Sequence, residues 1–253
     1  MNAVRHYIVR RLLSAVPVLL GISLLAFVLA QLSPGDPAEI MLEAAGTGMP
    51  SAEEVAALHS YLGLDQPAYV QYGLWLWRIL HGDGGISYHL GMPVFTVLLA
   101  RLPVTVMLAA ASLCWAAVGG IGLGLLMARM RGTWAAMLLH GVTQVMLATP
   151  SFLTAILLIL IFGVWLHVLP TNGVDAAAGY LLPSFALALV TLAMTAQLLD
   201  AQLREALASL YAQTARLRGL SEGRVLLTYA LPNALVPVTA MLGNFAAAVH
   251  GGA

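Results

Sequence analysis

Long apolar runs separated by polar segments are the dominant pattern of this chain. Runs of this kind cover residues 12–32, 103–128, 181–203 and 232 to the end of the sequence. Each has about the 20 residues that a helix needs to cross the hydrocarbon core of a bilayer. The first run is too long for the apolar core of a cleaved signal peptide, which indicates a membrane anchor. The pattern therefore predicts an all-α integral membrane protein.

A further apolar run, 134–168, is longer than one span, since a helix of that length would measure about 50 Å. Splitting it at Pro150 leaves two halves that are too short to cross a membrane. A single helix that is kinked near Thr149 and Pro150, and that protrudes from the bilayer, fits the run better. With this helix the sequence predicts about five transmembrane helices.

The arginines give the predicted helices an orientation. If the N-terminus is cytoplasmic and each run crosses once, nine of the eleven arginines fall on the inner side. Basic residues near spans are enriched on the cytoplasmic side, so this count supports the topology. Splitting the third run would reverse the orientation of every later span and place the arginines from Arg204 to Arg224 on the outer side. The inner arginines are Arg5, Arg10, Arg11, Arg129, Arg131, Arg204, Arg216, Arg218 and Arg224, and the outer ones are Arg78 and Arg101.

This topology divides the chain into three parts. Residues 1–33 form a cytoplasmic N-terminus with the first transmembrane helix, 34–94 form an outer segment, and 95–253 form a membrane core. The outer segment is too long for a loop without structure of its own. We therefore expect it to fold as an extracytoplasmic helical subdomain.

Two short helices are predicted within that subdomain. Ser51 and Glu54 have the spacing of a capping box, and the helix that they begin ends near Gly63. A second helix is indicated by apolar and aromatic residues at helical spacing, namely Tyr69, Tyr72, Leu76 and Ile79, with Trp75 close by. Aromatic residues at this level are equally typical of an interfacial belt, and both interpretations stay open.

The inner segment 204–231 carries a different pattern. Leucines and a threonine recur at steps of four and three, which is typical of one face of an amphipathic helix: Leu203, Leu207, Leu210, Thr214 and Leu217. Gly219 is placed to end this helix, and Ser221 to cap the next one. Pro232, after Leu231, is expected to break or kink that next helix. The segment predicts a short helix lying across the membrane surface between two spans.

Composition excludes several classes of protein. Hydrophobic residues make up 60% of the chain and charged residues 9%, which is unlike a soluble enzyme, a disordered regulator or a nucleic-acid binder. All eleven basic residues are arginine, so the chain lacks the lysine of a P-loop. Cys114, alone in an apolar run, is interpreted as a small buried hydrophobe. Hydrolase motifs are missing, so we assign no catalytic residue and no bound cofactor.

The spacing in the inner segment carries a family resemblance. Gln213, Thr214 and Ala215, then Gly219 four residues later, then Leu231 and Pro232 resemble the cytoplasmic EAA loop of ABC-importer permeases. The first position is Gln where that loop usually has Glu. The resemblance implies a helix that contacts an ATPase subunit, which itself binds ATP and Mg²⁺. The implied contact residues are Leu210, Tyr211, Gln213, Thr214, Ala215, Arg216, Gly219, Leu220, Leu231 and Pro232.

The whole chain resembles the first permease subunit of the nickel, dipeptide and oligopeptide importers. Segments that carry the likeness include VRRLLSAVPVLLGIS, LSPGDPA, LGLDQPAYVQYGLWLWRILHGDGGIS and ATPSF. The resemblance implies a bacterial cytoplasmic membrane, a second homologous permease, two ATPase subunits and an extracytoplasmic solute-binding protein. Family members have six spans, so the resemblance implies that the C-terminal part of the family domain, with the sixth span, is missing from this sequence. Gln197 and Asp200 depart from the family, which usually has basic residues near these positions.

The sequence motifs do not identify the transported substrate. Overall similarity favours the nickel branch, with nickel or a nickel chelate as the cargo, and dipeptides or oligopeptides are the alternative. Two other classes of protein, a secondary transporter and an intramembrane hydrolase, fit the sequence less well. Imidazole suits Ni(II), but no two of the seven histidines lie three or four residues apart on one predicted helix. We therefore assign no metal ligand. Candidates for binding-protein docking or cargo entry lie in the outer segment, namely Trp75, His81, Asp83 and His89.

Overall fold

The structure is a computed structural model of the chain, and it describes residues 2–44, 50–87, 90–171 and 177–252. These residues are almost entirely helical, and they contain no β-strand apart from a single bridge between Ile86 and Pro93. Within the described ranges, four helices are long and apolar enough to cross a membrane, or five if one bent pair counts as a span. The predicted all-α class with about five spans is therefore confirmed.

The chain forms two compact units, Met1–Ala100 and Arg101–Ala253, and the division falls inside a helix. The three-part division expected from the sequence stays a prediction. Unit 1 holds four helices and the start of a fifth: α1 (Asn2–Gln31), α2 (Pro37–Ala44), α3 (Ala52–Leu62), α4 (Ala68–Leu80) and the first residues of α5 (Val94–Cys114).

Helix α3 of unit 1 begins and ends as the sequence predicts. The Ser51 hydroxyl accepts a hydrogen bond from the Glu54 amide at 3.3 Å, and the Glu54 carboxylate accepts one from the Ser51 amide at 2.9 Å. This is a complete capping box. Gly63 ends α3 with φ +72°. Asp36 accepts from the Ala38 amide at the start of α2, and its carboxylate also lies 2.7 Å from the His59 ring of α3.

An aromatic cluster joins α4 to α1. Phe27 of α1 meets Tyr72 edge-on with ring centroids 5.4 Å apart, and Tyr72 stacks against Trp75 at 6.0 Å. The Tyr72 and Ser23 hydroxyls are hydrogen-bonded at 2.9 Å. Aromatic pairs of this kind add about 0.5–1.5 kcal/mol beyond the area they bury. The helical subdomain is thus held to the first span by one face of α4.

Unit 2 continues α5 through a π-helical turn, Trp115–Gly119, into α6 (Gly120–Arg129). The other helices of this unit are α7 (Trp134–Ala148), α8 (Ser151–Leu158), α9 (Leu181–Ala208), α10 (Leu210–Leu217), α11 (Glu222–Arg224) and α12 (Leu231–Gly252). Two further π-helical segments, Ile159–Trp165 and Val225–Ala230, extend α8 and join α11 to α12.

Helix α9 is the centre of unit 2, and α6 packs against it very closely. A Cβ added to Gly120 would lie 2.9 Å from the Leu192 carbonyl oxygen, and one added to Gly124 would lie 2.8 Å from the Ala196 carbonyl oxygen. Glycine at every fourth position thus brings the two backbones together. On another side of α9, an apolar core joins it to α12 through Leu199, Leu203, Ala206, Ala230, Ala234 and Val238.

The third apolar run differs from the prediction. It is two helices, α7 and α8, bent by 106° at the break, and not one kinked helix. Thr149 (ψ 120°) and Pro150 (ψ 143°) are both extended. Proline drives the residue before it out of the helical region, so two successive residues leave the helix and the chain turns sharply. The arginine-based orientation assumes one crossing here, and it stays a prediction.

Cys114 is exposed at the end of α5 and is not the buried hydrophobe expected from its apolar surroundings. The run around it is apolar on all sides, so the sequence does not distinguish the face that packs on this chain from the face that does not.

Candidate functional site

The inner segment contains the short helix that the sequence predicts, α10. Ser209, which is extended (φ −70°, ψ 159°), separates it from α9. Its other end is a complete Schellman motif: the Gly219 amide donates to the Arg216 carbonyl at 2.9 Å, and the Leu220 amide donates to the Ala215 carbonyl at 3.3 Å. Gly219 has φ +81°, the left-handed conformation that favours glycine. The predicted role of Gly219 in ending the helix is confirmed.

The predicted leucine face of this helix is wrong. Leu203 is fully buried in α9, but Leu210 is 81% exposed and Leu217 is 89% exposed. The predicted face assumes one continuous helix across Ser209. In the structure the chain leaves the helix at Ser209, and α10 is a new helix with a different direction. The leucines of α10 therefore project away from the unit instead of continuing the buried face of α9.

Small residues form the buried side of α10. Ala212 is fully buried and Ala215 is 3% exposed, and both pack against Val225 at the start of a π-helical segment. Leu207, Leu220 and Tyr229 pack around them. Alanine allows α10 to lie close to the chain that follows it. Ala215 was expected to contact a partner, but in this structure it supports the helix from beneath.

Of the other expected contact residues, some are exposed and some face the unit. Leu231 is half-buried in the core between α9 and α12, and Leu220 is half-buried under α10. The exposed members are Leu210, Tyr211, Gln213, Thr214, Gly219 and Pro232. We call the exposed part of α10 with its C-terminal turn, namely Leu210, Tyr211, Gln213, Thr214, Leu217 and Gly219, the α10 ridge.

Arg216 fastens α10 at both ends, and the sequence analysis did not find this role. Its guanidinium donates to the Leu207 carbonyl at 2.9 Å and to both carboxylate oxygens of Glu222 at 2.7 and 3.1 Å. These hydrogen bonds lower the pKa of Glu222 and raise the pKa of Arg216. The signal in the sequence is an arginine and a glutamate on either side of a glycine turn. We call this pair the Arg216–Glu222 clip.

The sequence predicts a break or a kink at Leu231 and Pro232, and the break is absent. Glu222–Ala248 is one helix of 27 residues, and the π-helical segment Val225–Ala230 comes directly before Pro232. Proline removes one amide and its ring crowds the carbonyl four residues earlier. The wider turn of a π-helix moves that carbonyl out of the way, so the helix continues. Ser221 is the N-cap as expected, although its hydroxyl makes no capping hydrogen bond.

The outer candidates are satisfied by local partners. Trp75 of α4 belongs to the aromatic cluster that packs against α1. The His81 ring lies 2.8 Å from the Trp77 carbonyl oxygen. Asp83 accepts a hydrogen bond from the Gly85 amide at 2.9 Å. His89 lies outside the described residues. Within the part of the chain that the structure describes, no three His, Cys, Asp or Glu side chains form a group suited to a metal ion.

Comparison with family models matches almost the whole chain. Residues 120–253, which include α10, match the model described as the inner membrane component of binding-protein-dependent transport systems. Residues 4–109 match the model for the N-terminal part of a membrane component of such systems.

Individual relatives cover the chain to a similar extent. A protein of Brucella suis that is named as a peptide transport system permease is 37% identical over 97% of this chain and 79% of its own length. A Brucella melitensis protein with the corresponding name has the same identity and coverage. The glutathione transport system permease protein of Escherichia coli is 34% identical over 94% of this chain and 76% of its own length.

Proposed function

The chain belongs to the family of binding-protein-dependent transport system inner membrane components, and from this premise we propose that it carries short peptides across the membrane. As a member of this family it is a multi-pass permease subunit of an ABC importer and is not catalytic itself. The peptide cargo, the role of α10 and the arrangement of the partners are the proposed parts.

The names of the relatives support the peptide cargo. Those cited above are peptide and glutathione permeases, and glutathione is itself a tripeptide. Nickel, which the overall sequence similarity favoured, has no counterpart among these names. We therefore take the peptide alternative as the main proposal.

The α10 ridge is proposed as the seat of an ATPase subunit. Two leucines, Leu210 and Leu217, expose most of their surface on a helix only eight residues long. Burying one such side chain on a partner is worth about 1.5–3 kcal/mol. Thr214 and Gly219 lie on the same exposed part of the segment, so an apolar groove in the partner fits it.

Force on α10 would reach the spans through both of its ends. At one end α10 joins α9, and at the other the Schellman turn and the Arg216–Glu222 clip lead into the long helix Glu222–Ala248. In this proposal, ATP binding by the ATPase subunits and docking of a solute-binding protein bias two conformations of the spans, so that the path opens alternately to either side. A second homologous permease would complete that path.

The cargo proposal is tested with the purified complex in proteoliposomes. Uptake of a radiolabelled dipeptide, a radiolabelled tripeptide and radiolabelled nickel would be measured with and without ATP. We expect ATP-dependent uptake of peptide that unlabelled peptides compete away, and no ATP-dependent uptake of nickel.

The control is a complex whose ATPase subunits bind ATP without hydrolysing it, which should accumulate neither cargo. Nickel uptake that dipeptides fail to reduce, without any peptide uptake, would contradict the proposal and return the cargo to the metal branch.

A further inference from the structure

A buried carboxylate lies on α9, nine residues before the break at Ser209. The Asp200 side chain is only 2% exposed, and both of its oxygens have cationic partners. Arg131 lies 2.9 Å from Oδ1, and Arg204 lies 2.7 Å from Oδ2. The His140 ring nitrogen lies 3.5 Å from Oδ2.

These partners come from different elements. Arg131 lies in the turn between α6 and α7, His140 lies in α7, and Arg204 is one turn further along α9. Close by on the same two helices, the Gln197 amide donates to the Thr143 hydroxyl at 2.9 Å, and Thr143 is fully buried. Helices α7 and α9 are thus joined by two neighbouring polar contacts, His140 with Asp200 and Thr143 with Gln197.

Stability alone is a poor explanation for this cluster. Removing a carboxylate from water costs several kcal/mol, and replacing a buried ion pair by apolar residues is often neutral or stabilising. The packing of α9 is already provided by the glycines of α6 and the apolar core with α12. What these polar contacts add is direction, because the Arg131–Asp200 hydrogen bond fixes the turn before α7, and the Gln197–Thr143 hydrogen bond fixes α7 itself, against α9.

The Asp200 contacts connect α10, through α9, with the bent pair α7–α8. Helix α7 is the first arm of the bent pair α7–α8, and Asp200 contacts it at His140 and contacts the turn before it at Arg131. In the other direction, α9 is unbroken from Asp200 to Ala208, about 12 Å of helix, and α10 begins directly after Ser209. A displacement of α10 that moves the end of α9 therefore moves Asp200 and the groups bonded to it.

We infer that Asp200 is a positioning residue that couples α10 to the bent pair α7–α8, by holding Arg131 and His140 against the helix that leads to α10. This inference rests on the proposed role of α10 as the seat of the ATPase subunit. It does not depend on the nature of the cargo.

The first test compares variants of the full importer complex in proteoliposomes. For Asp200→Asn we expect uptake per ATP hydrolysed to fall about three- to thirty-fold, with the complex still assembled. Arg131→Gln should act in the same direction, and the double variant should be no worse than Asp200→Asn, since both changes break one connection. Asp200→Glu, which keeps the charge, should restore part of the loss.

The matched control is Glu205→Gln. Glu205 lies on the same helix and is exposed, and its side chain has no hydrogen bond or ion pair within the described part of the chain. Its variant should match the wild-type complex. If the Asp200 and Arg131 variants lower only the amount of assembled complex, while uptake per ATP stays at the wild-type value, Asp200 is structural and the inference is overturned.

A second test needs no cargo. Hydrogen exchange would be compared between nucleotide-free and nucleotide-trapped complexes. In the wild type we expect a nucleotide-dependent change in both 210–217 and 134–148, and in Asp200→Asn only in 210–217. An unchanged response of 134–148 in Asp200→Asn would overturn the inference alone. Absence of any change in 210–217 of the wild type would remove the docking role of α10, and this inference with it. A wild type that passes this test but takes up no peptide contradicts the cargo proposal only.

Discussion

At the scale of single residues, the Arg216–Glu222 clip decides how firmly α10 is seated. The pKa of Glu222 is lowered by its hydrogen bonds with Arg216. A lowered carboxyl pKa contributes stability that is present above the ordinary glutamate pKa and is lost as the pH falls through the lowered value. The clip should therefore hold throughout the neutral range and open only in acid.

A spin label on α10 would report this opening. With Cys114→Ala as background and a label at Thr214→Cys, we expect label mobility to stay constant down to the ordinary glutamate pKa, about 4.3, and to rise below it. Glu222→Gln should give a mobile label at every pH. Equal mobility in both proteins at neutral pH would show that the clip does not hold the helix.

Gly219 makes a second prediction at this scale. Its φ of +81° is the constraint, because an added Cβ would meet no atom within 4 Å. Gly219→Val should strain the turn by about 1–2 kcal/mol and lower transport per ATP hydrolysed. Gly219→Asn is the matched control, since asparagine tolerates the left-handed conformation, and it should stay close to the wild type. Equal loss in both variants would mean that the space beside Gly219, and not its backbone, matters.

At the scale of helices, the close approach of α6 to α9 depends on glycines that lack a side chain. Gly124→Ala should destabilise the permease by about 1–3 kcal/mol, because the new Cβ would meet the Ala196 carbonyl. Gly122→Ala, in the same helix, adds its Cβ to open space and should be neutral or slightly stabilising. Thermal unfolding of the two purified variants measures the difference. Similar melting temperatures would contradict the packing of α6 on α9.

The helices themselves could be predicted where one local rule decides. Run length predicts the long apolar helices, the Ser51 capping box predicts the start of α3, and Gly219 predicts the end of α10. The failures arise where two rules compete. Leucine spacing continues through Ser209 although the backbone does not, and Pro232 ends a helix only when no wider turn precedes it.

Other features could not be predicted because they depend on contacts between segments that are far apart in the sequence. Asp200 meets a residue 69 positions away in Arg131, and no local pattern brings these two together. The 106° bend at Thr149 and Pro150 is local in origin, but its size depends on two residues being extended instead of one. The sequence therefore predicts the position of the break but not the angle between the two helices.

At the scale of the whole molecule, the proposed docking of an ATPase subunit on α10 makes a prediction about the exposed surface of the permease. The α10 ridge should be covered in the assembled importer. We expect Leu217→Glu to weaken binding of the ATPase subunits about ten- to a hundred-fold, because it replaces an apolar contact by a charge. Leu217→Met keeps the apolar character and is the control.

Co-purification of the ATPase subunits with each permease variant, together with a titration of binding, measures this effect. The folded state of the permease should not change, since Leu217 is almost fully exposed in the isolated chain. Undiminished binding by Leu217→Glu would place the contact elsewhere and remove α10 from that role.

The close contact of α6 with α9 has a consequence for how this chain can change over evolutionary time. Glycine has the smallest side chain, so every substitution at positions 120 and 124 adds atoms where a carbonyl oxygen already stands. We therefore expect any single substitution at position 120 or 124 to be destabilising, unless a residue of α9 changes at the same time. Position 122, between them, faces open space and can drift. We therefore expect lineages of this permease to vary at the middle glycine and to keep the outer two.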